Sequence, residues 1–398
     1  MSSTLPRAGK SHFAAEEGGP VRVLITLPWG ERLGGAEAML KAVLDGAHET
    51  EHELELVFLA PGSWPNELAR AGFRVEVIPA GRLREVHRWT VTVARLAALM
   101  RARRPDLILN WAAKTQLYGA PAAMLAGMGD RAVWWQQNIP SGDWIDRCAT
   151  LLPARAIGCY SQAAARAQRR LWPRRATFVV AAGAPVPYAN GDAPLERSVV
   201  AGDAPESPTG STVVGVVGRL QPWKGQDRML RAQALLRERG HDVRLMIVGG
   251  DAYGLSTEYA ESLPALARDL GLDGAVTLTG QVPDAGPYIE RMDMLVNASD
   301  PEPFGIVLLE AMARGVPVVA VDSGGPAEFI EDGRTGMLAR SGEPSALADA
   351  LEPLLASPEL RHELGRAGRE RFLSEFTDVA LRERFFHRLE VLVAGRAS

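Results

Sequence analysis

The sequence predicts an α/β protein built from two parallel-sheet domains that face each other across a cleft. Three observations carry this reading. Apolar runs rich in Val, Ile and Leu alternate with helical segments along the chain, and strands apolar on both faces belong to parallel sheets covered by helices on both sides. The length of 398 residues exceeds one typical domain and suits two of about 180 to 200 residues each. Between Ala189 and Ser211 the chain reads Asn-Gly-Asp-Ala-Pro and then Ala-Gly-Asp-Ala-Pro-Glu-Ser-Pro-Thr-Gly-Ser, which is turn chemistry without a hydrophobic period.

Taken in order, residues 1–20 hold Lys10, Glu16 and Glu17 among Gly, Ser and Pro with no apolar core, and read as a disordered tail, not a signal peptide. The first domain spans 21–190, with strands expected at Val21–Thr26, Leu54–Leu59, Val75–Pro79, Leu107–Asn110, Val133–Gln136, Ala156–Tyr160 and Phe178–Ala181. A linker at 191–211 leads into a second domain at 212–378. Its strands are expected at Val213–Val217, Val243–Val248, Val276–Thr279, Met294–Val296 and Val316–Val321. A last helix, Ala380–Val393, lies within the closing segment 379–398. The chain is 46% apolar, enough for two cores, and the crevice between two such halves is the default place for a ligand. Cys148 and Cys159 have no metal-ligand spacing, so a reducing, cytoplasmic setting is expected. No apolar stretch approaches the roughly 20 residues of a membrane span.

Charge separates the halves. Residues 1–190 hold 23 basic and 16 acidic residues, net +7, and residues 191–398 hold 21 and 32, net −11. Seven arginines fall between Arg82 and Arg104 around Val86, Trp89, Val93, Leu96 and Leu99 at helical spacing, and five more lie between Arg166 and Arg175. Two readings stand for the first patch: a face for an anionic membrane surface, leaving the protein cytoplasmic or peripheral at the inner membrane face, or a helix packed on its own sheet with a solvated side. Nucleic acid is not an expected partner, because pI is about 6.1 and no recognised module is present.

Two segments carry chemistry. Gly218-Arg219-Leu220-Gln221-Pro222-Trp223-Lys224-Gly225 follows the strand Val213–Val217 and precedes a helical pattern from Asp227 to Arg237, the strand-loop-helix setting in which α/β sheets bind ligands. Lys224 is one of only four lysines against 40 arginines, and an ammonium is a compact point charge for phosphate. Further on, Glu302 and Glu310 bracket Pro303-Phe304-Gly305-Ile306-Val307-Leu308-Leu309. The segment Ile306–Arg314 reads as an apolar helix closed by Gly315. Its start offers free N–H groups and a positive dipole end to a diphosphate, and Glu310, one turn in, suits the paired hydroxyls of a ribose. Gly280-Gln281-Val282-Pro283-Asp284 follows a further strand; Asp284 either reads the edge of a guanine or caps the helix beginning at Ala285.

With Gly34-Gly35-Ala36-Glu37, Gly324-Gly325-Pro326-Ala327-Glu328 and Asp332-Gly333-Arg334-Thr335-Gly336 added, the chain resembles the retaining glycosyltransferases of family 4, which have the GT-B fold. The likeness is dense from about Thr212 to Leu338 and looser from Val21 to Pro187. It implies two Rossmann-like domains, the final helix crossing back onto the first, and a hexose donor linked to GDP or UDP. It implies Arg219, Lys224 and Glu302 as the catalytic set. The donor would be lined by Gly34, Gly35, Gly218, Val282, Asp284, Phe304, Gly305, Ile306 and Glu310. Arg219 and Lys224 would stabilise the leaving diphosphate, Glu302 would contact the donor sugar, and no divalent metal or other cofactor is expected. The first domain would hold the acceptor, a cell-surface glycan, a lipid-linked sugar or a small molecule, as in polysaccharide biosynthesis. Two departures stand out. Where many relatives carry a histidine facing the donor sugar, the candidates here are Asn110, Gln137 and Asn138, and a position usually Asn-Gly reads Ala182-Gly183. The alternative is a catalytically weak protein of this fold that binds a nucleotide sugar or scaffolds a partner; the complete Arg219, Lys224, Glu302 and Glu310 set favours transfer.

Overall fold

A computed structural model describes residues 20–32, 34–187, 211–251, 254 and 256–395. The tail expected at 1–20 and the linker expected at 191–211 lie, except for Pro20 and Ser211, outside the described residues.

The first sheet has seven parallel strands: β1 (Arg22–Leu27), β2 (Glu53–Phe58), β3 (Arg74–Val77), β4 (Leu107–Asn110), β5 (Ala132–Gln136), β6 (Ala156–Cys159) and β7 (Thr177–Val179). Their order is β3-β2-β1-β4-β5-β6-β7. The second has six: β8 (Thr212–Val217), β9 (Val243–Val248), β10 (Val276–Leu278), β11 (Met294–Asn297), β12 (Val318–Val321) and β13 (Met337–Ala339), ordered β10-β9-β8-β11-β12-β13. Helices α1 (Gly35–Asp45), α2 (Ser63–Arg70), α3 (Val86–Arg103), α4 (Ala113–Leu125), α5 (Trp144–Leu151) and α6 (Gln162–Arg170) connect the first sheet. Helices α7 (Gln226–Glu238), α8 (Thr257–Asp269), α9 (Gly286–Ile289), α10 (Ile306–Ala313), α11 (Pro344–Ala356) and α12 (Pro358–Glu375) connect and close the second, and α13 (Asp378–Ala394) ends the fold.

Strand order reverses between β1 and β4 in one sheet and between β8 and β11 in the other. Ligands of such sheets bind outside the carboxyl ends of the strands at these reversals. The segment after β1 leads to Gly34 and Gly35, the loop after β8 is Gly218–Gly225, and the loop after β11 carries Glu302. Topology thus delivers all three motifs to switch points.

Helix α13 crosses back as expected. The Thr377 hydroxyl accepts the Ala380 N–H at 3.2 Å to start it. Backbone bonds from Ala184 N–H to Phe376 O (3.0 Å) and from Asp378 N–H to Ala184 O (2.9 Å) tie its entry to the end of the first domain. Phe385 then packs on Trp135, ring centroids 5.5 Å apart, beside the Trp111–Trp135 stack at 5.1 Å.

Helix α3 buries Thr92, Val93, Leu96, Ala97 and Met100 under the first sheet. Of the stripe, Val93 and Leu96 are buried, Trp89 and Leu99 are partly buried, and Val86 at the helix start is exposed, so the helix packs on its own sheet. Arg82, Arg84, Arg88, Arg95 and Arg101 nevertheless all remain exposed.

Candidate functional site

The loop after β8 closes in a single turn, Pro222–Lys224, and enters α7 through Gly225. Lys224 Nζ lies 2.7 Å from Glu302 Oε2 and 4.1 Å from the centroid of the Trp223 ring. Glu302 is 5% exposed, and its Oε2 also accepts from Asn297 Nδ2 at 3.2 Å. Burial alone would push the Glu302 carboxyl up. The Lys224 charge beside it, with side-chain hydrogen bonds from Lys224, Ser299 and Asn297, outweighs burial and holds it below the usual carboxylate range.

Three residues beyond Glu302, Gly305 starts α10 at φ 92°, where a Cβ would meet Leu308 Cδ1 at 2.8 Å. Only glycine suits that corner; the Leu308 N–H donates to Gly305 O at 2.9 Å, and the N–H groups of Ile306 and Val307 ahead of it are the ones a helix start offers to a ligand. Phe304 is half of a buried stack with Phe329, centroids 5.1 Å apart. Its ring is core, so only its backbone serves the site.

The first domain meets these groups through its glycine pair. A Cβ on Gly34 would stand 3.9 Å from Arg219 Cζ and 3.1 Å from Glu37 Oε2, and one on Gly35 would stand 3.2 Å from Ile306 Cδ1. Gly34, Gly35, Arg219 and the start of α10 therefore face one another at the cleft in close packing. Gly218, at φ 150°, leads directly into Arg219.

Glu37, third in α1, was not singled out as a site residue by sequence reading. It is 8% exposed. Burial raises its carboxyl above the ordinary range, opposed by the backbone N–H groups of Glu37 and Gly34 and by Arg219. A carboxylate reaching back to the residue that caps its own helix fixes the glycine turn; an acid directly after Gly-Gly-Ala at a helix start was the available signal.

One turn into α10, Glu310 is half-buried. Burial pushes its carboxyl up to about 7, Arg314 opposes this, and Asp284 adds to it. Arg314 donates Nη1–H to Glu310 O (3.0 Å) and pairs through Nε with Glu290 Oε1 (3.3 Å). Asp284 Oδ1 accepts the Gly286 N–H at 2.8 Å in a local turn just ahead of α9. Val282 is partly buried beside this cluster and packs on the core.

The acceptor-side candidates part company. Asn110 is fully buried: its Oδ1 accepts from Thr26 Oγ1 and its Nδ2 donates to Gln116 Oε1, both at 2.8 Å. This corrects the expectation for Asn110, whose side chain points into the core and locks β1, β4 and α4 together. Gln137 Nε2 donates to Trp111 O. Asn138 is exposed on the same loop, its N–H directed at Gln136 Oε1 at 3.4 Å. A separate cavity of about 350 Å³ opens at the amino ends of β1–β3, lined by Arg22, His48, His52, Glu55, Arg74 and Arg103. It lies at the sheet end opposite the motifs, and its His52 is already held between the Val21 N–H and Glu390, each at 3.3 Å. Among the described residues no cluster of three or more His, Cys, Asp or Glu could hold a metal, and no helix is long and apolar enough to cross a membrane.

This arrangement brings two cations, a helix start and a buried carboxylate to the carboxyl edge of the second sheet. Residues 203–371 match the family model described as glycosyl transferases group 1. The matched segment contains Arg219, Lys224, Glu302 and Glu310. Over 364 residues the chain is 26% identical to the lipopolysaccharide core biosynthesis glycosyltransferase LpsE of Rhizobium meliloti, covering 89% of this chain and 96% of that one. Over 182 residues it is 38% identical to the D-inositol 3-phosphate glycosyltransferase of Nocardia farcinica, covering 45% of this chain but only 39% of that one. The chain thus spans about two fifths of that relative's length. Among solved structures it superposes on Anabaena Alr3699/HepE in complex with UDP and glucose with a TM-score of 0.77 at 24% identity, covering 93% of this chain and 99% of that one. The fold is GT-B.

Proposed function

We propose that this chain is a retaining, metal-independent hexosyltransferase that uses a nucleoside diphosphate sugar as donor. The observation that carries the reading is the Lys224–Glu302 pair, set beside Arg219 and the start of α10 across from Gly34 and Gly35. The donor diphosphate lies against Arg219, Lys224 and the first N–H groups of α10, where positive charge and dipole meet the negative charge that gathers on the leaving group. Glu302, ionised and held by Lys224 and Asn297, accepts from hydroxyls of the hexose. It is a sugar-orienting carboxylate and not a nucleophile: the bond from the anomeric carbon to phosphate breaks, the acceptor oxygen bonds to the same face, and its proton passes to the released phosphate oxygen. Glu310 takes the ribose hydroxyls. Asp284 has one oxygen engaged by the Gly286 N–H and does not choose between bases; the donor class is a nucleoside diphosphate hexose of either UDP or GDP type, and the similar Anabaena protein was solved with UDP.

Proton NMR of the transfer, followed from the first minutes, is expected to show the new linkage with the anomeric configuration of the donor. An inverted product removes the retaining mechanism. Tight nucleotide binding with no turnover on any acceptor instead favours the scaffold reading, to which the absent histidine belongs.

The acceptor reading follows from charge. The exposed arginines of α3 and its approach suit a lipid-linked or glycan acceptor at an anionic inner membrane surface, each basic residue contributing about 1 kcal/mol in low salt. Vesicles containing anionic lipid should sediment the protein in low salt, and the combined change Arg84→Glu, Arg88→Glu, Arg95→Glu should keep it in the supernatant with donor hydrolysis intact. If the wild-type protein stays in the supernatant in low salt, the arginine face is ordinary surface and the membrane reading falls.

A further inference from the structure

Helix α6 belongs to the first domain, yet the second domain caps it. Glu328 Oε2 accepts the Gln162 N–H at 2.7 Å and Oε1 accepts the Ala163 N–H at 2.6 Å. Arg166 Nη2, one turn along, stands 3.9 Å from Oε1. The next donor, Ala164 N–H, is taken by Ser161 Oγ at 3.2 Å within the first domain. Three of the four N–H groups that a helix start leaves open are thus satisfied, two of them by one carboxylate reaching across the cleft. Both the dipole of α6 and Arg166 favour a negative charge there.

On its own side, Glu328 ends the turn that begins at Gly324 and Gly325. The Gly325 N–H donates to Glu302 O at 2.8 Å, and Gly324 pairs with Glu302 as an isolated bridge. The packing leaves no slack. A Cβ on Gly325 would lie 2.5 Å from Pro303 O and from Phe304 Cα, and one on Gly324 would lie 2.1 Å from Glu302 O and 3.0 Å from Ile139 Cδ1. Ile139 is itself in the first domain, next to Gln137 and Asn138. A continuous line of contacts therefore runs from the head of α6 through Glu328 and the glycine pair to the backbone of Glu302.

We infer that Glu328 is a positioning residue: by capping α6 across the cleft it fixes the spacing of the two domains and the placement of Glu302 against the acceptor side. This rests on the transferase reading for its kinetic consequence, and on geometry alone for the cap. Both carboxylate oxygens of Glu328 are engaged at the head of α6, so its loss should act on the chemical step and spare nucleotide affinity.

The test uses the full chain with Glu328→Ala, Glu328→Gln and, as a control within the first domain, Ser161→Ala. Hydrogen exchange resolved at the head of α6 should speed up at residues 162 and 163 in Glu328→Ala, with the rest of the helix unchanged. The same variant should lose roughly tenfold in kcat, a change of about 1.4 kcal/mol in barrier, while the Kd for UDP and GDP stays within twofold. Glu328→Gln, which keeps one acceptor and the side-chain volume, should recover part of both losses, and Ser161→Ala should perturb exchange at 164 with kcat retained. Wild-type exchange at 162 and 163 in Glu328→Ala overturns the cap. Faster exchange with unchanged kcat overturns the positioning role. Should Glu328→Ala loosen the whole chain, the reading passes to Glu328→Gln, where unchanged exchange and kcat overturn the proposal. A wild-type protein that transfers no sugar contradicts the functional reading, and the exchange result still decides the cap.

Discussion

Replacing Lys224 with alanine is expected to cut sugar transfer by at least about a hundredfold, the scale for removing one preorganised group at a developing anion. The effect has two sources. The ammonium is lost from the leaving-group side, and the Glu302 carboxylate, 5% exposed, loses the partner 2.7 Å away that keeps it ionised. Breaking a buried pair by removing one member costs about 3–5 kcal/mol, so this variant should also melt lower than wild type. Arg219→Ala separates the two effects: Arg219 faces the cleft beside Gly34, so its loss should reduce transfer on the same scale with little change in melting temperature. Lys224→Arg should not restore the rate, because a planar fork cannot take the place of a compact ammonium between carboxylate and phosphate. Near-wild-type transfer by Lys224→Ala or by Arg219→Ala would remove the leaving-group assignment.

The second large effect is on binding. Glu310→Gln should weaken nucleoside diphosphate affinity by a hundredfold or so, a few kcal/mol being usual when one charged partner of a buried hydrogen bond is truncated. Glu302→Gln should leave that affinity nearly intact and lose discrimination among donor sugars. The proton balance gives a further check. The Glu310 carboxyl sits at about 7 in the free protein, and two ribose hydroxyls donate best to a carboxylate that carries no proton. Affinity should therefore rise with pH through about 7 and level off above it, and in Glu310→Gln that slope should vanish. Stability should run the other way. A carboxyl raised by burial favours folding while protonated, below its unfolded value, and that contribution is lost as pH rises through 7. At pH 8 the unliganded Glu310→Gln protein should thus be at least as stable as wild type. An equal loss of free nucleotide affinity in Glu302→Gln and Glu310→Gln would contradict the division of labour between them.

Much of this arrangement was legible in the chain, for identifiable reasons. The long Val, Ile and Leu runs became strands nearly where expected, because strands buried on both faces announce themselves by composition. Strand β13, only Met337–Ala339, carries no periodic signal and was not expected. The loop Gly218–Gly225 and the two carboxylates seven residues apart could be read because their residue types suit phosphate and hydroxyl chemistry. Their direct pairing could not. Lys224 and Glu302 are 78 residues apart in sequence, and they meet only because β8 and β11 are neighbours in the sheet. Asn110 shows the converse limit. A strand-end position does not reveal which way the side chain points, and here it points at Thr26 and Gln116. Phe304 likewise sits within a site motif while its ring completes a core stack. Glu37 and Glu328 were visible only as motif letters, since their roles depend on contacts with a helix start and, for Glu328, with the other domain.

The central claim is that the edge of the second sheet is a nucleoside diphosphate sugar site. Calorimetric titration of UDP, GDP, ADP and their hexose conjugates into the wild-type chain at pH 8, without added divalent metal, tests it most directly. The account predicts one-to-one binding of a UDP or GDP series, weakened by about a hundredfold in Glu310→Gln and weakened also in Lys224→Ala. Absence of binding by every nucleotide in the panel, or binding that Glu310→Gln and Lys224→Ala leave unchanged, would contradict it.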